Sequence, residues 1–124
     1  MSEGSKATSV NSEQFEALIR DNDVVFIDFW AVWCAPCKQF AVVYEKVAGL
    51  YDNVVFAKIN IEEETDLAET FQIRSIPHLM VFKQGIVIYS EAGSMPESTL
   101  KELVQQAVDV DVSKIREQLD EEGG

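Results

Sequence analysis

Apolar residues recur along the chain in two rhythms, alternate or unbroken in some stretches and every third or fourth position in others. Val24 to Trp30 is the densest stretch, Val-Val-Phe-Ile-Asp-Phe-Trp, interrupted only by Asp28. Such a run of β-branched and aromatic residues predicts a strand buried on both faces, as in sheets covered by helices on each side. Upstream, Ala7 to Val10 suggests a short edge strand. Phe15, Leu18 and Ile19 then mark the buried stripe of a helix that runs to about Arg20. Asn11 with Gln14 three residues on has the pattern of a capping box. Asp21-Asn22-Asp23 turns the chain into the central strand. Downstream, Phe40, Val43, Tyr44, Val47 and Leu50 give one buried face to a helix from Cys34 to Leu50, with Gly49 near its end. Val54 to Asn60 follows as a strand, expected to run parallel to the first through a right-handed crossover. Glu62-Glu63-Glu64 suits the positive end of a helix over Asp66 to Phe71. His78 to Lys83 and Ile86 to Glu91, joined at Gln84-Gly85, predict an antiparallel hairpin. Pro96 to Val108 is the last helix of the domain, burying Leu100, Leu103, Val104, Ala107 and Val108.

This order predicts one α/β domain over residues 7–108, with a central mixed sheet of four to five strands and helices on both faces. Residues 1–6 are small and polar and read as a disordered N-terminus. From Asp109 the chain continues as an acidic extension with six acids and two bases, read as a solubility feature. Within it Val112, Ile115 and Leu119 have helical spacing, which allows a short extra helix. A length of 124 residues suits one domain, and a hydrophobic content of 47% is ample for a core.

A net charge of −12 argues against nucleic acid and anionic membranes as partners. No run approaches membrane-spanning length, and the first ten residues lack the apolar stretch of a secretory signal. The expected location is therefore the cytoplasm, where a cysteine pair is more often catalytic than structural. A monomer is expected.

The chemistry centres on Trp-Cys-Ala-Pro-Cys-Lys, Trp33 to Lys38, which holds the only two cysteines. A strand that ends near Trp30 and turns into a helix puts Cys34 at the helix N-terminus. Unpaired backbone N–H groups and the positive end of the helix dipole there favour a thiolate. Pro36 fits the first turn, where its missing N–H is harmless. Cys37 lies one turn on, on the same face but deeper. An exposed nucleophile and a shielded resolving thiol suit dithiol–disulfide exchange. A structural disulfide, a zinc half-site and two unrelated thiols are the rival readings. Zinc needs four ligands, and the chain offers two cysteines and one histidine, His78, so no metal is expected.

Asp28 is the second informative residue. A carboxylate in a strand apolar on both faces is unfavourable unless paired, and burial raises its pKa. It reads as the acid/base for Cys37, or else as an acid paired structurally with a lysine such as Lys58 or facing solvent at a sheet edge.

Together, Asp-Phe-Trp-Ala-x-Trp-Cys-x-Pro-Cys-Lys from Asp28 to Lys38 resembles the active-site stretch of the thioredoxin family. Ala57-Lys58-Ile59-Asn60, Ile73-Arg74-Ser75-Ile76-Pro77, Phe82-Lys83-Gln84-Gly85 and Ala92-Gly93 resemble further segments of that family, in the same order. The likeness covers roughly residues 8–108 and implies the thioredoxin fold. It also implies a cis peptide bond at Ile76–Pro77 facing the cysteines, and Lys58 turned inward as the partner of Asp28. Trp33, Ile76, Pro77, Ala92 and Gly93 would form the groove for an extended client. Three positions depart from the family pattern: Ala35 between the cysteines, Val42 where a helix-kinking proline is usual, and His78 after the cis-proline. Val42 predicts a straighter helix. His78 is a candidate for lowering the Cys34 pKa or binding substrate, or an edge residue facing water.

The resemblance implies a protein-disulfide reductase acting in cell redox homeostasis and electron transport. It further implies that the chain itself binds no cofactor. Its clients are disulfide-containing proteins, and thioredoxin reductase, using NADPH, would re-reduce it. The rival functions are an oxidase or isomerase of the same fold, its poise set by Ala35-Pro36, and a binding or co-chaperone module with incidental cysteines.

Overall fold

A computed structural model describes residues 7–123; the expected disorder of residues 1–6 lies outside the described residues. Five strands form one mixed sheet: β1 (Ala7–Ser9), β2 (Val24–Trp30), β3 (Val55–Asn60), β4 (His78–Lys83) and β5 (Ile86–Ala92). Their order across the sheet is β1-β3-β2-β4-β5. β3 runs parallel to both β1 and β2, whereas β4 is antiparallel to β2 and β5. The central position of β2 explains its sequence. It has a neighbour on each side and helices above and below, and Val24 to Phe29 are all buried.

Five helices complete the described chain: α1 (Ser12–Asp21), α2 (Ala35–Ala48), α3 (Thr65–Thr70), α4 (Glu97–Asp109) and α5 (Ser113–Gly123). Phe26, Phe56, Leu79 and Val81 pack with Phe40, Tyr44 and Val47 of α2 and Leu100 and Val104 of α4. Val25, Ile27, Phe29 and Met80 pack on the other side with Phe15 of α1 and Leu67 of α3. Successive strand side chains point to opposite faces, so β2 supplies both cores.

The expected capping box forms, with Asn11 Oδ1 accepting from the N–H of Gln14 at 2.9 Å and Gln14 Oε1 from that of Asn11 at 3.1 Å. α2 runs without interruption past Val42, which is solvent-exposed. It ends earlier than expected. Gly49 caps it by donating to carbonyls of the last turn, and Leu50 swings out to 56% exposure instead of joining the buried face.

The extension forms a helix, α5. Val112 just before it is 1% exposed, whereas Ile115 and Leu119 remain largely in solvent. Arg116 donates a guanidinium hydrogen bond to the carbonyl of Gln84 in the β4–β5 turn. That turn is left-handed at Gln84 and Gly85, with φ of 52° and 81°. Glycine at the second position takes this conformation with no Cβ to clash, which lets the two strands reverse tightly.

Candidate active site

Where β2 leaves the sheet, Ala31 is buried and the chain turns outward through Val32 and Trp33. Cys34 follows as the N-cap of α2, in an extended conformation (φ −92°, ψ 106°). Ala35 and Pro36 take the first two helical positions, where a backbone N–H has no helical partner to lose. The N–H of Cys37 donates to Cys34 Sγ at 3.1 Å. The cysteines are joined as a disulfide with Cα atoms 5.2 Å apart. Ala31, Trp30, Ile61 and Ile76 pack around them. The expected contrast in exposure is almost absent in this oxidised pair: Cys34 is 4% exposed and Cys37 2%, because that apolar ring closes over both.

The Ile76–Pro77 bond is cis, as the resemblance implied. The Ile76 carbonyl oxygen lies 3.8 Å from Cys34 Sγ. Gly93 is held beside this turn, its N–H donating to the Pro77 carbonyl at 2.7 Å. Its φ of 111° is the reason for glycine there, since a Cβ would meet no atom within 4 Å. Ala92, paired in register with His78, is exposed at the same rim. Trp33 stands at 65% exposure, and its indole N–H is fixed by Glu62 Oε2 at 2.8 Å. Nothing in the residue pattern singles out Glu62; only the fold brings it across from the end of β3.

Asp28 is fully buried, and neither carboxylate oxygen has a hydrogen-bond partner. Burial raises its pKa from 3.8 to about 7, against the opposing pull of the Lys58 charge. A cavity of about 260 Å³ connects Asp28 with Cys37 and is also lined by Trp30, Lys38, Ala41 and Lys58. Lys58 is the cross-strand neighbour of Asp28 in the β2–β3 register, but the Asp28 oxygens accept no hydrogen bond from it. The ammonium lies instead over the Trp30 ring, 5.0 Å from its centroid. Lys58 thus acts on Asp28 through its charge while its ammonium is seated on an indole.

His78 is not brought to the cysteines. It shares a face of the sheet with Phe29 and Met80, opposite to Asp28, because side chains alternate along β4. Its Nε2 lies 2.8 Å from Ser90 Oγ, and its ring meets Phe29 edge-on. Partial burial lowers its pKa, with Glu91 opposing. Tyr44 reads in the sequence only as core. It is wholly buried on α2 and donates its hydroxyl proton to the Ala57 carbonyl at 2.8 Å.

Residues 6–106 match the family model for thioredoxin. A putative thioredoxin 2 of Streptomyces coelicolor is 39% identical over 113 residues, covering 91% of this chain and 84% of that protein. The thioredoxin of Mycoplasma pneumoniae is 38% identical, covering 76% of this chain and 92% of that one. Among solved structures, a mutant thioredoxin from Halobacterium salinarum superposes with a TM-score of 0.78 at 28% identity, covering 90% of this chain and 99% of that chain. The oxidised thioredoxin of Plasmodium falciparum gives 0.73 at 33% identity, covering 81% and 96%.

Proposed function

The chain belongs to the thioredoxin family and is a protein-disulfide oxidoreductase working through Cys34 and Cys37; from that premise we propose how its residues divide the work. Cys34 is the nucleophile. As a thiolate it attacks one sulfur of a client disulfide, forming a mixed disulfide and releasing the other client sulfur as a thiolate, which takes up a proton. Cys37 then gives its proton to Asp28 and attacks Cys34 Sγ. The second client sulfur leaves as a thiolate and takes up the proton held by Asp28, so the client departs as a dithiol and Cys34–Cys37 becomes the disulfide. Two electrons pass from this chain to the client. The observation that carries this reading is the buried, unbonded Asp28 opening onto the same cavity as Cys37. A carboxyl group with a pKa near neutrality exchanges a proton with a thiol at little free-energy cost.

Trp33, Ile76, Pro77, Ala92 and Gly93 form the surface where an extended client segment docks, and Ala35-Pro36 set the poise of the pair. A thioredoxin reductase drawing on NADPH returns the disulfide to the dithiol, in a monomer working in the cytoplasm. Among the described residues no helix is long and apolar enough to cross a membrane. The deciding experiment is the equilibrium potential against glutathione at neutral pH. A value of about −270 mV, typical of thioredoxins, supports net reduction of clients, whereas one of about −120 mV makes the chain an oxidant.

A further inference from the structure

Asp28 and Lys58 are register partners on adjacent parallel strands, both on the side of the sheet that faces α2. Opposite charges placed so close would ordinarily pair. Yet both Asp28 oxygens are unbonded, and the Lys58 ammonium rests over Trp30. Trp30 is next but one to Asp28 on β2, so its side chain leaves the same face. Its indole borders two cavities. One holds Asp28 and Cys37, and the other, about 270 Å³, is lined by Lys58, Asn60, Glu63 and Glu64.

We propose that Trp30 is a positioning residue for the exchange reaction: its indole face seats the Lys58 ammonium and so withholds that cation from Asp28. The proposal rests on Asp28 being the proton carrier for Cys37. A cation over an indole is held by the negative face of the ring quadrupole. An ion pair at the fully buried Asp28 would instead draw the partly exposed Lys58 ammonium out of water. The seat therefore holds the cation without a compensating carboxylate. If the ammonium closed on the carboxylate, the charged form of Asp28 would be favoured and its affinity for the Cys37 proton would fall.

The other groups facing this pair are few. From α2 come Cys37, Lys38 and the Tyr44 hydroxyl, which is engaged by Ala57. From β4 comes apolar Leu79, the register partner of Asp28. Beyond Lys58 lie Glu63 and Glu64, of which Glu64 already accepts from the N–H and hydroxyl of Ser12. Within the Asp28 cavity, Lys58 and Lys38 are the cations among the described residues.

The test is the Asp28 titration midpoint, read by carboxyl carbon NMR in Trp30→Leu, Trp30→Phe, Lys58→Met and the double variant Trp30→Leu with Lys58→Met. The expected result is a downward shift of roughly 1 pH unit or more in Trp30→Leu, the size attributed to a newly close opposite charge. Trp30→Phe, which keeps an aromatic ring in the core but a weaker π face, should shift part of the way. The double variant should titrate with Lys58→Met alone. An unchanged midpoint in both Trp30 variants overturns the proposal. So does an upward shift, which would mean that the freed ammonium went to Glu63 or Glu64. A downward shift that persists without Lys58 also overturns it, since water entry would then be the cause. The pH profile of mixed-disulfide resolution in Asp28→Asn tests the underlying reading separately. If that profile matches the parent while the Trp30 shifts appear, Trp30 positions the cation but Asp28 is not the proton carrier.

Discussion

The backbone N–H of Cys37 points at Cys34 Sγ from 3.1 Å, one turn along α2. A hydrogen bond to sulfur strengthens when the sulfur is charged, and the helix N-terminus adds its partial positive charge. Cys34 is therefore the thiol whose ionisation the fold favours once the disulfide is opened. Cys37 lies one turn inside the helix and opens onto the Asp28 cavity, away from that terminus.

The first expected outcome follows from that asymmetry. Cys37→Ser should trap client proteins as mixed disulfides through Cys34, whereas Cys34→Ser should trap none. In the reduced parent, iodoacetamide at neutral pH should label Cys34 first. Preferential labelling of Cys37 would reverse the assigned roles.

Gly93 gives a second. Its φ of 111° is one that side chains with a Cβ rarely adopt, although space for a Cβ is open. Gly93→Ala should lower stability by about 1–3 kcal/mol through backbone strain. The displaced N–H would also loosen the Pro77 turn beside Cys34, so KM for a protein client should rise more than kcat falls. Chemical denaturation and steady-state client reduction read the two effects. A stability equal to that of the parent would show that the loop relaxes freely.

Much of this arrangement is legible in the sequence because it is local. The apolar run of β2, the Asn11–Gln14 cap and the placement of Cys34 at a helix start each depend on residues near one another along the chain. Relationships over longer range are not so readable. Leu50 fits the helical stripe of α2 and would be buried if the helix continued, but Gly49 ends it first. His78 adjoins the cis-proline in sequence, yet strand alternation turns it to the face away from Asp28. Trp30 reads as a core aromatic; its contact with Lys58 exists only when β3 is laid beside β2. The Glu62 contact to Trp33 spans 29 positions and has no periodic signature.

A third expectation concerns the extension. Val112 is buried and Arg116 holds the β4–β5 turn. That turn adjoins Lys83, which pairs with Val24 at the start of β2, whereas the cysteines follow its far end. Removing residues 112–124 should therefore destabilise the domain by about 1.5–3 kcal/mol, the value of burying one valine. Insulin disulfide reduction at temperatures well below unfolding should stay close to the parental rate. A large loss of rate with the domain still folded would place the extension in the client-binding surface.

The last expectation turns on Asp28, whose pKa is raised from 3.8 to about 7, chiefly by burial. Between those values the unfolded chain has lost the Asp28 proton while the folded chain keeps it. The folded state thus binds more protons, so this residue's contribution makes stability fall as pH rises through the window and level off above about 7. The accumulated penalty is on the order of 4 kcal/mol at pH 8, from roughly three pKa units at roughly 1.4 kcal/mol each. Asp28→Asn removes the titration at nearly constant volume. The variant should be more stable than the parent at pH 8 by a large fraction of that amount, and the difference should shrink toward zero near pH 4. Chemical denaturation across this range measures it, and a gain independent of pH would trace the effect to packing instead of charge. The kinetics should move the opposite way. With no acceptor for the Cys37 proton, resolution of the mixed disulfide should slow by about 10²-fold, the low end for a positioned base. Attack by Cys34 should change little, because its thiolate depends on the helix terminus. Stopped-flow mixing of reduced protein with a fluorescent client disulfide separates the two steps. A protein that becomes steadier and slower together would show that the buried acid is retained for chemistry at the expense of stability.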